Sequence, residues 1–319
     1  MMSRNKQDLY VHSITYEAEE IFRIELRSPV GDSLAEFTAG AHINLHLADR
    51  LVRSYSLVNN PSERHHYIIA VQKEKDGRGG SKWVHETLRV GQRVEVSAPG
   101  NAFPLNEGAE HTVLVAGGIG ITPIWCMIQR LEALGKSWEL HYRTRSRQRA
   151  AFLEEVSSGQ RSGHVHLSFS NETPRAGYDL QRIIADAPEK TEFYCCGPAE
   201  MIARFDEVAA GMDATRFHRE RFQTEGEASG EGGFVVRAVK SNLDIPVREG
   251  QTILQALREA GLDPPYSCES GLCGECETRV IAGEPDHRDY FLTEAEKNSG
   301  EVIMICCSGS CSPVLEIDL

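Results

Sequence analysis

Residues 268–276 read Cys-Glu-Ser-Gly-Leu-Cys-Gly-Glu-Cys, and Cys306 follows after 29 intervening residues. Three thiols at spacing C-x4-C-x2-C with a distant fourth suit a plant-type [2Fe–2S] cluster, in which each iron takes two cysteine sulfurs. A loop that wraps such a cluster turns backbone N–H groups inward onto sulfur, and Gly271 and Gly274 supply the conformations this needs. Ser267 and Ser270 add hydroxyl donors. Cys273-x2-Cys276 by itself would also suit half a zinc site or a redox dithiol. Zinc sites, however, usually combine two close pairs, and here the first spacing is x4 and the last is long. Cys307 competes with Cys306 for the fourth place; if 302–306 is extended the two point opposite ways, which favours Cys306.

Two earlier stretches also carry chemistry. In Arg53-Ser54-Tyr55-Ser56-Leu57, an Arg and a Tyr two apart on a strand share a face and can offer a cation and an aromatic edge to a flat, anionic cofactor. A surface strand is the plainer reading. In Gly77-Arg78-Gly79-Gly80-Ser81, backbone N–H groups, a guanidinium and a hydroxyl can cradle a phosphate. The plainer reading there is a flexible hairpin tip.

The elements that must hold these residues follow from periodicity. Residues 10–99 read as short strands: 21–26 and 43–47 alternate, 67–71 is apolar throughout, and Pro29, Gly31, Asn59-Asn60-Pro61 and Gly77 punctuate them. Regular short strands of this kind suggest a small closed antiparallel β-barrel. At Thr112 the pattern changes. An apolar strand, 112–116, runs into Gly117-Gly118-Ile119-Gly120-Ile121-Thr122-Pro123, and Ile124, Met127, Ile128, Leu131 and Leu134 then recur at helical spacing. Strand, glycine turn, helix is the layout of a dinucleotide site, with the helix N-terminus facing the pyrophosphate. Pro123 takes the place of the third Gly of G-x-G-x-x-G, which a first helical turn tolerates. Further strands at 138–142, 164–169 and 192–195, the last leading into Cys196-Gly197-Pro198 and a helix from Ala199, make a parallel α/β sheet. Arg143, Arg145, Arg147 and Arg149 form a run that is either a solvated loop or the hold on the adenosine end of the dinucleotide. Residues 223–233, rich in Gly and Glu, read as a linker. Beyond it come a hairpin (234–239 and 243–247) and two short helices, each opening on a capping box, Thr252/Gln255 and Thr293/Glu296. The domain boundaries expected are 1–107, 108–224, a linker at 225–233, and 234–319.

Bulk properties narrow the function. The 319-residue chain carries a net charge of −13 and shows no basic stripe, which argues against nucleic acid. Residues 234–319 hold 7 Lys/Arg against 15 Asp/Glu, so a partner with a basic docking face or simple solubility would explain the acidity. The N-terminal residues lack an apolar h-region, and the most apolar run, 112–128, is broken by Gly and Pro, so no membrane span is expected. Nine cysteines without a secretory signal point to a reducing, cytoplasmic setting. His65, His66, His164 and His166 show no ligand spacing with a carboxylate and read as surface or strand residues. His287 reads as part of a polar loop.

With these regions in view, the chain resembles the phthalate dioxygenase reductase family, the reductases of Rieske oxygenase systems that include vanillate demethylase and carnitine monooxygenase types. The resemblance covers essentially the whole length and rests on 53–57, 77–81, 117–123, 196–198 and the four cysteines. It implies three domains: an antiparallel β-barrel flavin domain, an α/β parallel-sheet nucleotide domain and a β-grasp plant-type ferredoxin domain. It implies FMN, with Arg53, Tyr55 and Ser56 along the isoalloxazine and ribityl chain, Arg78, Gly79, Gly80 and Ser81 at the phosphate, and Phe222 close to the flavin. It implies NADH, with NADPH possible, over Gly118, Gly120, Thr122 and Pro123, with Arg145 at the far end and Cys196, Gly197 and Pro198 near the nicotinamide. The [2Fe–2S] ligands are then Cys268, Cys273, Cys276 and Cys306. The family often has Ser-Arg-Ala after its last ligand; here Ser308-Gly309-Ser310 lacks that basic group.

The expected activity is a two-to-one electron converter: hydride from NADH to the flavin, then single electrons through the cluster to a Rieske-type oxygenase, with no residue acting as acid, base or nucleophile. Rival readings are a reductase that releases free reduced flavin, a redox sensor or electron-transfer module, and a donor to another acceptor such as a P450.

Overall fold

The computed structural model describes residues 6–48, 51–75, 77, 79–158, 164–172, 179–222 and 233–319. Arg78 and linker residues 225–232 lie outside these. The chain divides into two units, Met1–Leu45 with Tyr55–Phe222, and His46–Ser54 with Gln223–Leu319.

The first stretch forms β1 (Lys6–Ala18), β2 (Ile21–Arg27), β3 (His42–Ala48), β4 (Leu51–Ser56), β5 (Tyr67–Gln72), α1 (Gly80–Glu86) and β6 (Arg93–Ser97). Its six strands lie in the order β4-β3-β6-β1-β2-β5. The β1–β2, β1–β6 and β2–β5 pairs are antiparallel, and β1 is bulged near Val11 and Tyr16. The strand segments read from alternation are all present. The helix α1 is an element the sequence reading does not include; that reading takes 77–81 as either a phosphate cradle or a hairpin tip. Gly79, at φ 81°, turns the chain into the helix, whose Gly80 and Val84 are buried. Glycines hide a helix start because they also mark turns.

The nucleotide domain comprises β7 (His111–Gly117), α2 (Ile121–Ala133), β8 (Ser137–Thr144), α3 (Leu153–Ser157), β9 (His164–Phe169), α4 (Leu180–Asp186), β10 (Glu192–Cys196), α5 (Ala199–Ala209) and β11 (Phe217–Glu220). The order β11-β10-β7-β8-β9 is parallel in every pairing. Residues 112–117 are buried, as expected for a strand covered on both faces. Leu180 and Ile184 of α4 and Ile202 and Phe205 of α5 pack with Val113, Val115, Phe193 and Cys195. Successive strands step outward from β7 to β9, and the chain then returns to the other side of β7 with β10. The crevice between the carboxyl ends of β7 and β10 is therefore the topological switch point, where open α/β sheets bind ligands. Hydrogen bonds join elements of this domain to the antiparallel domain within the first unit: Gln129 Nε2 on α2 to Val58 O just beyond β4 at 2.7 Å, and the Phe152 N–H ahead of α3 to Glu17 Oε1 on β1 at 2.7 Å.

The second unit carries β12 (Phe234–Ala238), β13 (Leu243–Val247), α6 (Ile253–Glu259), β14 (Glu277–Ala282), β15 (Pro285–Asp286), α7 (Glu294–Ser299), β16 (Val302–Met304), β17 (Gly309–Ser310) and β18 (Val314–Ile317). Its main sheet runs β13-β12-β18-β14-β16 and is mixed, because β12 pairs parallel with β18 and antiparallel with β13. Pro246 sits on β13, an edge strand, where a missing N–H costs no ladder bond. Both expected capping boxes are present, on α6 and α7. The α6 residues Ile253, Leu254, Ala256 and Leu257 enter a core that also contains Cys276, Cys306 and Cys307. No helix among the described residues is long and apolar enough to cross a membrane.

Candidate redox sites

The loop between α6 and β14 brings the cysteines together in two pairs. The thiol of Cys273 hydrogen-bonds with that of Cys268, and the thiol of Cys276 with that of Cys306. The N–H groups of Ser270, Leu272 and Cys273 each donate to Cys268 Sγ at 3.4 Å, and the Cys268 N–H donates to Cys273 Sγ at 3.4 Å. All four side chains are buried. Hydrogen bonding to the partner sulfur, then burial, holds Cys273 and Cys276 far above the ordinary thiol range. Thiolates are costly in such a place unless a cation meets them. Two sulfur pairs ringed by N–H donors fit a two-iron group.

Gly274, at φ 77°, lies under the Phe291 ring: a Cβ there would sit 1.9 Å from the ring carbon. The buried Asp289 carboxylate fixes this flank, accepting from the Phe291 and Leu292 N–H groups at 3.1 and 2.8 Å. The strand expected over 302–306 ends at Met304 and residues 305–307 form a turn, so alternation does not separate Cys306 from Cys307. The Cys307 thiol faces Met304 O and Ser308 Oγ and lies beside Gly271, while Cys306 is the one paired with Cys276.

Arg53, Tyr55 and Ser56 lie on β4, with Arg53 and Tyr55 half-buried on one face and Ser56 buried. In the second unit, Ser267 Oγ accepts from the Val52 N–H at 2.6 Å and donates to Val52 O at 2.9 Å, and Arg53 Nη1 reaches the same hydroxyl at 3.3 Å. Val52 packs with Cys268 and Cys273. Gly79, Gly80 and Ser81 lie at the start of α1, and Ser81 Oγ accepts from the Glu74 N–H at 3.0 Å.

At the switch point, a 3₁₀ turn over Gly118–Gly120 links β7 to α2. A Cβ on Gly120 would stand 2.2 Å from Cys196 O, so the turn and the Cys196-Gly197-Pro198 segment touch backbone to backbone. The glycine serves this approach as well as any ligand. Thr122 is buried, and its hydroxyl donates to Ile119 O at 3.0 Å, which closes the turn. Pro123 lies buried in the first turn of α2. Tyr142 OH steadies the turn by donating to Gly118 O at 3.2 Å. Of the arginine run, Arg147 stacks over the Phe169 ring and bonds Glu172, and Arg149 pairs with Glu19 and Glu20. Arg145 is exposed and, among the described residues, makes no side-chain bond or ion pair. Phe222 is half-buried just beyond β11.

The sequence reading passes over Glu220. It ends β11 in register with Cys196, and the residue is partly exposed, yet its Oε2 is buried with no hydrogen-bond partner. Burial pushes its carboxyl up to about 8. The Cys196 thiol is pushed well up as well, by burial first and Glu220 second. Both groups are therefore neutral at pH 7. No local pattern marks Glu220; only the parallel pairing of β10 with β11 brings it to the crevice.

The second unit matches the family model for a 2Fe-2S iron-sulfur cluster binding domain over residues 238–310, and the antiparallel sheet matches that for an oxidoreductase FAD-binding domain over residues 9–104. The chain is 50% identical over 311 residues to the phenoxybenzoate dioxygenase subunit beta of Ectopseudomonas oleovorans, covering 98% of this chain and 97% of that one. A solved phthalate dioxygenase reductase, described as a modular structure for electron transfer from pyridine nucleotides to [2Fe–2S], is 35% identical with a TM-score of 0.73 over 99% and 98% of the two chains. The chain belongs to the phthalate dioxygenase reductase family. As a member, it is a flavin- and [2Fe–2S]-containing reductase component of a multicomponent oxygenase, taking electrons from NAD(P)H. An intact self-sufficient cytochrome P450 monooxygenase is 37% identical with a TM-score of 0.80; the reductase covers 98% of itself but only 41% of that longer chain.

Gly120→Ala is expected to destabilise the reductase by about 1–3 kcal/mol, the usual cost of overpacking, read as a lowered thermal midpoint. Glu220 keeps its proton to about pH 8 in the folded chain but loses it near 4.5 when unfolded. The unfolded state thus binds fewer protons across that window, and this group makes stability fall as pH rises, by at most ~1.4 kcal/mol per pH unit. Denaturant melts of Glu220→Gln between pH 4.5 and 8 should show a flatter profile than the parent; identical slopes would remove Glu220 as the titrating group.

Proposed function

We propose that this reductase uses FMN and NADH and delivers single electrons to a Rieske-type oxygenase or demethylase in the cytoplasm. We further propose domain boundaries of 1–107, 108–224 and 234–319, with 225–233 as linker. The observation that carries the reading is the pairing of Cys268 with Cys273 and Cys276 with Cys306 in a buried, N–H-lined loop, in a chain whose other unit holds a switch-point crevice. When bound, the nicotinamide supplies a hydride, the flavin splits its two electrons and the cluster releases them singly.

Arg53 would place a positive charge where negative charge develops on reduction, and Tyr55 and Ser56 would line the ring and ribityl chain. Gly79, Gly80, Ser81 and Arg78 would hold the terminal phosphate, which favours FMN as the occupant. Gly118, Gly120, Thr122 and Pro123 would set the turn against the pyrophosphate, and Arg145 would reach the adenosine end. Because Arg147 and Arg149 are already engaged with Phe169, Glu172, Glu19 and Glu20, few cations are left for a 2′-phosphate, which supports NADH. Cys196, Gly197 and Pro198 would shape the nicotinamide pocket, with Cys196 a neutral packing group and Phe222 an aromatic cover. The neutral Glu220 carboxyl would face the same end without adding a second charge. That all nine cysteines are unpaired is consistent with a reducing compartment.

A P450 acceptor is the second reading, favoured by the likeness to the reductase portion of a self-sufficient P450. Heat-released flavin identified by mass decides between FMN and FAD. Stopped-flow reduction of Arg53→Ala by NADH should be slower by about 100-fold, the scale of losing one charge-stabilising donor, with flavin still bound. Cys276→Ser should lose the cluster and its cytochrome c reduction while NADH-driven ferricyanide reduction persists; persistence of both would sink the assignment of Cys276. Side-by-side turnover with a purified Rieske oxygenase and a P450 separates the two acceptors.

A further inference from the structure

Along the chain the histidines of the nucleotide domain have no ligand spacing, but the sheet creates one. The β8 and β9 strands pair parallel with His141 opposite His166 and Glu139 opposite His164. Glu139, His141 and His166 therefore share one face. Their donor atoms all lie within 4.8 Å of one another. Glu139 Oε1 is 2.7 Å from His141 Nε2 and 3.0 Å from His166 Nε2, and the two imidazoles stack at 4.6 Å with planes 9° apart. Two rings thus aim the same nitrogen at one carboxylate oxygen. His141 is buried, whereas the His166 side chain is 52% exposed, so the group opens to solvent on one side.

We propose that Glu139, His141 and His166 form a binding site for a divalent transition ion of the zinc class, separate from the redox centres. Two neutral imidazoles and a carboxylate, with one open position, form a donor set that zinc accepts. Zinc bonds of about 2.0–2.1 Å around a tetrahedron separate donor atoms by about 3.3 Å. Opening the two contacts by a few tenths of an ångström makes room for the ion. Each ring would carry its proton on Nδ1 and give its Nε2 lone pair to the metal; Glu139 gives an oxygen, and water takes the fourth place. Among the described strand residues, the other titratable or charged groups of this face are His111 on β7, Arg143 on β8, His164 on β9, Cys195 on β10 and Arg219 on β11, the last paired with Asp206. Arg143 Nη1 lies 3.4 Å from Ser168 Oγ, one cross-strand pair further along. A bound ion would pin the edge strand β9 to β8.

The test uses the holoprotein with flavin and iron in place, dialysed against micromolar zinc and analysed for metal content by mass spectrometry. The expected result is one zinc per chain beyond unchanged iron, and a thermal midpoint raised by about 3–8 °C when zinc well exceeds its dissociation constant. His166→Ala, at an exposed position that should not disturb folding, and Glu139→Gln should both lose the extra zinc and the shift while retaining iron and NADH–ferricyanide activity. No zinc above background, zinc that displaces iron, or zinc retained by both variants would each overturn the proposal.

Discussion

Four thiols buried in a small domain are the constraint on which the second unit depends. Apolar side chains around Cys276 and Cys306 leave no water to solvate sulfur, so the backbone must do so. That forces the loop to curl its N–H groups onto Cys268, and the curl in turn requires positive φ at Gly271 and Gly274. The Phe291 ring then fills the space that only a glycine leaves, and the Asp289 carboxylate pins the flank. Sheet, helix caps and loop are thus arranged around a charge that the protein itself does not supply.

The first unit is organised by approach rather than by charge. Its crevice forms because the glycine turn after β7 meets the end of β10 at backbone distance. The Tyr142 and Thr122 hydroxyls hold that turn by donating to the carbonyls of Gly118 and Ile119. Two neutral acids, Cys196 and Glu220, end paired strands there.

Much of this was legible in the residues. Cysteine spacing, the Gly117–Pro123 turn and both capping boxes are local signals, and local signals report local structure. Which sulfurs pair was not legible, because three ligands lie within nine residues and Cys306 follows only after 29 more, so spacing alone does not say which of the three it joins. Glu220 and the Glu139–His141–His166 group were not legible, since each arises only when parallel strands come into register and no sequence spacing encodes register between strands far apart in the chain. The helix α1 was missed for another reason: glycine is equally at home in a turn and before a helix.

The same distinction bears on the residues after Cys306. By resemblance alone, Gly309 marks a missing basic group. In the structure Gly309 pairs with Asp286, and a Cβ on it would lie 3.6 Å from Arg288 Nη2 and 3.3 Å from Asp286 Oδ2. A guanidinium therefore occupies the neighbourhood from a different segment, held there by Asp286 and by the Arg288 N–H donating to Ser308 Oγ at 3.2 Å. The place keeps a cation, but one matched by a carboxylate, so its net field is weaker than that of an unpaired arginine. With seven basic and fifteen acidic residues in 234–319, the ferredoxin domain presents a surface in which acidity dominates even where a cation survives.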